Sequence, residues 1–252
     1  MGVLLNLISC EMKKLKNSKI IILCIIGAFA VPAMMLIEAI QTHFEHPERI
    51  FTLSDIYDNS LLYAMLLMNM MICVAIISYI FSREYLDNTL KTVLPIPVSR
   101  IKLLIGKYIV TLLLTLLINI ITWAGILVFS GIYHSIFTIS EFNLTVTFNW
   151  LMKFLYSGVL IFFTATPFSY LAMKTKGFVA PMVISAAVVM GSAALSNHNF
   201  GAIYPWTATF FLIKGSLLSK GYPISLSIII ILFLSFSGFI ATFKYFCNED
   251  LK

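Results

Sequence analysis

Apolar residues in this chain gather into long runs, not into the alternation of strands or the one-sided stripes of surface helices. Six runs are long enough to be helices: roughly residues 20–40, 59–81, 103–129, 151–173, 177–195 and 223–246. A helix of about 20 apolar residues matches the hydrocarbon thickness of a bilayer. The pattern therefore predicts an all-α membrane protein with six transmembrane helices. The third run is the longest and is expected to tilt or project. Only Lys174-Thr175-Lys176-Gly177 separates the fourth run from the fifth, which predicts a tight helical hairpin with a basic tip.

The first eighteen residues have a different period. Leu4, Leu5, Leu7, Ile8, Met12 and Leu15 share one helical arc, with Asn6, Ser9, Lys13, Lys16 and Asn17 opposite. That describes an N-terminal interfacial helix over 1–18, lying on lipid headgroups. Glu11 falls inside the apolar arc, where a carboxylate must find water or a partner. The basic Lys13–Lys19 stretch and Ala28-Phe29-Ala30 resemble parts of a signal peptide. The apolar run continues to about Ile40, which suits an uncleaved first span better. The start Met-Gly-Val-Leu-Leu-Asn lacks the hydroxyl residue of a myristoylation signal.

Composition agrees. The chain is 60% hydrophobic and 11% charged, with a mean hydropathy of +0.97. Soluble domains carry about 25% charged residues. The net charge of +6 does not indicate nucleic-acid binding, because the basic residues flank apolar runs. Placing the N-terminus in the cytoplasm puts Lys13, Lys14, Lys16, Lys19, Arg83, Lys91, Arg100, Lys102, Lys107, Lys174, Lys176, Lys244 and Lys252 inside. Arg49, Lys153, Lys214 and Lys220 stay outside. By the positive-inside rule, both termini are expected in the cytoplasm of a multi-pass protein of the cell membrane, bacterial by this reading.

Two outer segments are more than turns. Residues 41–58 hold His43, Glu45, His46, Glu48, Asp55 and Asp58, read as a solvated loop and not as a metal site. Residues 196–222 include Tyr204-Pro205-Trp206 and a semi-apolar stretch too short to cross, expected to dip into the outer leaflet. Cys10, Cys24, Cys73 and Cys247 form no CxxC pair. The sequence contains no phosphate-binding loop and no HExxH, so no cofactor, metal or catalytic residue is assigned. The spans hold few ionisable groups, unlike those of proton-coupled carriers. Their deep polar residues include Asn69, Asn119, Thr122, Thr164, Thr166 and Ser169. Asn69, Asn119, Thr122 and Thr166 are candidates for a substrate cleft. Interhelical glue is the favoured role for Asn69 and Asn119. Pro32 and Pro167 are expected to kink their helices, with neighbours meeting the freed carbonyls.

The segment 83–100, between spans two and three, mixes charged and apolar positions. Leu86, Leu90, Val93 and Leu94 recur at helical spacing, and Pro95 and Pro97 end that helix. Ser99 is placed to cap the helix that follows. A short amphipathic helix results, lying on the inner surface and joined stiffly to two spans.

This segment resembles the coupling-helix region of type-2 ATP-binding-cassette exporter permeases. Glu84 matches the family acid, Thr89-Leu90 its Thr-Leu pair, Pro97-Val98-Ser99-Arg100 the next block and Leu104-Ile105-Gly106-Lys107 its tail. Asn88 stands where the family usually has glycine, and asparagine tolerates left-handed backbone. Lys91 replaces a frequent acid. Glu11-Met12-Lys13-Lys14-Leu15-Lys16-Asn17-Ser18 is similar to the family's opening helix. The resemblance implies a type-2 exporter fold, with the whole chain, 1–252, as a single transmembrane permease domain.

It also implies partners: cytosolic ATPase subunits, a second permease (a copy or a sister chain), membrane lipid and an amphipathic peptide substrate. Glu84, Leu86, Asp87, Asn88, Thr89, Leu90, Val93 and Leu94 would be ATPase-coupling residues, and Arg83, Arg100 and Lys102 would anchor the loop. The short chain looks most like permeases for bacitracin resistance, lantibiotic immunity or modulin-peptide export. An ATP-independent carrier and a peptide-sequestering immunity protein are the competing readings.

Overall fold

The computed structural model describes residues 2–16, 18–46, 48, 52–89, 99–137, 139 and 143–248. Helix α1 (Gly2–Lys16) leads into α2 (Ile20–Ala28) and α3 (Ala30–Glu45), which together form the first apolar segment. Helix α4 (Leu53–Tyr63) continues through a single π-helical turn, Ala64–Met68, into α5 (Asn69–Leu86). Then follow α6 (Arg100–Ile136), α7 (Leu144–Lys174), α8 (Val179–Leu195), α9 (Pro205–Lys214) and α10 (Ile224–Cys247). Short 3-10 turns at Asn199–Ala202 and Leu218–Lys220 flank α9. The described residues form no strand.

Five segments are long and apolar enough to cross a membrane: Ile20–Glu45, Leu53–Leu86, Arg100–Ile136, Thr145–Lys174 and Ile224–Cys247. The sixth apolar helix, α8, has 17 residues. At 1.5 Å per residue it spans roughly 25 Å, a little short of the ~30 Å hydrocarbon layer. The second segment begins at Leu53, earlier than its hydropathy suggests. Its first turn is polar, and Thr52 and Asp55 close a reciprocal capping box there. The third runs seven residues past 129, to Ile136.

Both sequence-predicted proline kinks are built from the same parts. Pro32 has no N–H for the carbonyl of Ala28, four residues earlier. The Thr122 hydroxyl on α6 lies 3.3 Å from that carbonyl, and Gly125, one turn on, leaves room for the Pro32 ring. Pro167 frees the carbonyl of Phe163, to which the Ser235 hydroxyl on α10 donates at 3.0 Å. Gly238, one turn on, packs directly against the Pro167 backbone, so that a Cβ there would lie 2.6 Å from its nitrogen. Each proline thus meets a hydroxyl-x-x-glycine pair on its neighbour.

A polar layer crosses the bundle where the π-turn ends. Asn69 donates to the Asn119 side-chain oxygen at 3.1 Å, and Ser157 donates to the same oxygen at 3.0 Å. Asn119 in turn donates to the Thr115 carbonyl. Nearer α1, the hydroxyls of Tyr108, Ser169 and Thr242 form a chain with links of 2.6 and 2.8 Å. Large apolar residues turn outward instead, among them Ile229, Phe233, Phe236 and Ile240 on α10. That inversion fits a lipid environment.

The segment after α8 is folded onto the bundle. Helix α9 starts with Pro205 in its first turn and ends at Gly215, whose φ of +71° closes it. Thr207 to Phe211 are buried, and Lys214 pairs with Asp58 on α4. Trp206 and Tyr204 meet nearby at a tilt of 52°, with ring centroids 5.1 Å apart.

Candidate functional site

Helix α5 ends in a Schellman turn. The Thr89 N–H reaches back to the Glu84 carbonyl at 3.1 Å, and the Asn88 N–H to the Tyr85 carbonyl at 3.3 Å. Asn88 takes the left-handed position, with φ +53°. Asparagine thus does here what glycine usually does. On the far side of the segment, Ser99 adopts extended backbone and caps α6 by accepting a long bond of 3.4 Å from the Lys102 N–H. Leu90, Val93 and Leu94, together with Lys91, Pro95 and Pro97, lie outside the described residues.

Two arginines fix the rims of this segment to other helices. Arg83 donates to the Lys14 carbonyl in the last turn of α1 at 2.7 Å, and its Nε pairs with Asp87 at 3.2 Å. Arg100 donates to the carbonyls of Phe246 and Cys247, which close α10, at 3.2 and 2.8 Å. Each guanidinium sits on a helix C-terminus, where orphan carbonyls and the negative dipole end favour a cation. Both are held by the chain's own helices, whereas Lys102 is exposed.

Between the rims of the segment and α1 lies an ionic quartet, of which Lys14 is the partly exposed member. Lys107, in the second turn of α6, pairs with Glu84 at 3.1 Å and with Glu11 at 3.8 Å, and donates to the Ile80 carbonyl at 2.9 Å. Lys14 pairs with Glu11 at 2.7 Å and with Glu84 at 3.3 Å. Lys107 is 2% exposed and Glu84 4%, and the two cations of the set balance its two anions, so that each buried charge has a partner. For Lys14, burial works against the charge, but its bond to Glu11 and the attraction of both carboxylates outweigh burial, and its pKa rises above 10.5. Lys14 therefore stays charged through the neutral range.

Within the chain, Glu84 is 4% exposed and its carboxylate pairs with Lys14 and Lys107. Leu86, Asp87, Asn88 and Thr89 are exposed, with Leu86 47% open although large and apolar. Asn69, Asn119, Thr122 and Thr166, the candidates for a substrate cleft, are at most 1% exposed and hydrogen-bond between helices. Lys107, Lys14 and Glu11 were not singled out as site residues by sequence. Their signal was present: an ionisable group beside or inside an apolar face demands a partner.

The described residues form a bundle with five segments long and apolar enough to cross a membrane, the class of a multi-pass membrane protein, with charged residues tying the rims between the second and third of them. The chain belongs to the ABC-2 family of transporter proteins, whose family model matches residues 7–193, from α1 nearly to the end of α8. It is similar to the bacitracin transport permease protein BCRB of Bacillus licheniformis. The two are 28% identical over 207 residues, covering 82% of this chain and 97% of that protein. The chain is thus the membrane permease subunit of an ABC-2 transporter.

Proposed function

We propose that this permease is half of an exporter that moves amphipathic peptides or peptide antibiotics out of the cell or its membrane, driven by ATP hydrolysed on a separate cytosolic subunit. Six crossings with both termini in the cytoplasm complete the topology, α8 being the short fifth one. Two permeases enclose the substrate path. The segment 83–100 is the coupling element that the ATPase grips, through Leu86, Asp87, Asn88 and Thr89 and through Leu90, Val93 and Leu94 beyond them. The transported class is suggested by the bacitracin permease to which the chain is similar, and by a bundle with few charges facing its core.

One observation carries the coupling reading: the segment leaves α5 through a Schellman turn and enters α6 through a serine cap, and both rims are tied down by Arg83 and Arg100. Rims so held can pass a push on the segment to α1, α5, α6 and α10. Its exposed Leu86 offers an apolar contact beside the acidic Asp87. Substituting Leu90→Asp is expected to abolish substrate-stimulated ATP hydrolysis by the purified complex, with membrane insertion intact. Stimulated hydrolysis at the unmodified rate would remove the assignment.

A further inference from the structure

Glu11 is an anomaly on α1. It interrupts the apolar arc of an amphipathic helix, and a helix that only rests on headgroups gains nothing from a carboxylate there. The fold gives it a purpose. Its two oxygens reach Lys14 and Lys107, and Lys107 and Lys14 both reach Glu84. The four side chains come from α1, α5 and α6, the last two being the helices on either side of the coupling segment. With Glu11–Lys107 and Lys14–Glu84 joining α1 to the segment's base, Arg83 adds a third tie, to the α1 backbone. Leu7 packs against α6 at Gly106, where a Cβ would meet the Leu7 Cβ at an ordinary 3.5 Å.

We infer that Glu11 and Lys14 are positioning residues of the coupling site, which lock the N-terminal helix to the base of the coupling segment so that α1 moves with that segment as one body when the ATPase closes. The inference rests on the proposed ATPase coupling and extends it: the output of the coupling segment is the displacement of a helix at the inner membrane surface as well as of spans two and three. Glu84 and Lys107, at the two ends of the motif, close the base of the segment, and Glu11 and Lys14 fasten α1 to that closure. Buried ion pairs suit this role because their geometry is defined, whereas an apolar contact permits sliding. Breaking one strands a charge.

The chain supplies its own reporter, since Cys10 on α1 is exposed while Cys24 and Cys73 are buried. In a Cys247→Ser background, spin labels on Cys10 and on Ile101→Cys, an exposed position at the start of α6, measure α1 against the segment base. A second pair, Cys10 with Val179→Cys on α8, measures α1 against the rest of the bundle. With the full permease–ATPase complex in vesicles, the first distance is expected to stay constant between nucleotide-free and ATP-bound states while the second changes. In parallel, Glu11→Gln and Lys14→Met are expected to lower substrate-stimulated ATP hydrolysis by about fivefold or more at unchanged ATPase recovery, and Lys14→Arg to retain it.

A first distance that shifts by several ångströms on ATP binding overturns the inference, as does a second distance that does not change. So does Glu11→Gln with full stimulation. Should a substituted chain fail to accumulate, the two distances in the otherwise native chain still decide. A native permease that recovers no ATPase and shows no stimulated hydrolysis sinks the functional reading itself, an outcome distinct from a coupled complex whose α1 slides.

Discussion

At Asn88, the chain turns left-handed at the threshold of the coupling segment. A left-handed residue with a Cβ costs roughly 1–2 kcal/mol unless it is glycine or, less easily, asparagine or aspartate. Asn88→Gly is therefore expected to leave thermal stability and coupling near native. Asn88→Val is expected to lose about that 1–2 kcal/mol and to lower stimulated ATP hydrolysis, because the segment then leaves α5 in the wrong direction; a melting curve and an ATPase assay on one preparation check both. Among the described residues, Lys176 is the other non-glycine one at positive φ, +50°, and it ends α7 although Gly177 stands next to it. The basic tip of that hairpin was legible in Lys174-Thr175-Lys176-Gly177, but which residue takes the left-handed place was not. That depends on how the Gly177 N–H reaches the Ala172 carbonyl and the Lys176 N–H the Met173 carbonyl.

Between elements, the two kinks pair Thr122 and Gly125 with Pro32, and Ser235 and Gly238 with Pro167. The prolines were visible in the sequence as kink sites. Their partners were not, since a hydroxyl and a glycine three residues apart are common and gain meaning only from the helix opposite. The two glycines are unequal. A Cβ at Gly125 would lie 2.8 Å from the Pro32 ring, whereas one at Gly238 would meet backbone atoms of the α7 kink at 2.6 and 2.8 Å. Backbone cannot turn aside as a side chain can. Gly238→Ala is therefore expected to destabilise by about 1–3 kcal/mol, and Gly125→Ala by less. Thermal unfolding in mild detergent ranks them, and the reverse order would contradict this account of the packing.

For the whole molecule, Lys14, Arg83, Arg100 and Lys107 meet at the end of the bundle where α1, the end of α5, the start of α6 and the last turn of α10 come together. Cys10 and Cys247 report on that end, both being exposed. A membrane-impermeant maleimide is expected to label them in inside-out vesicles and to spare them in intact cells. Labelling in intact cells would place the coupling segment on the wrong side to meet any cytosolic ATPase.

The all-helical class and the apolar segments could be read from the chain alone, because hydrophobic runs act locally and lipid enforces them. Tertiary structure alone decided who pairs with whom. Glu84 looked like a surface contact because an acid next to an exposed amphipathic stretch usually is one. It is buried because Lys107 lies 23 positions on, and Lys14 70 positions back, and only the packing of α1 against α5 and α6 brings those charges together. Charge compensation acts through space, and its partners carry no fixed spacing along the chain.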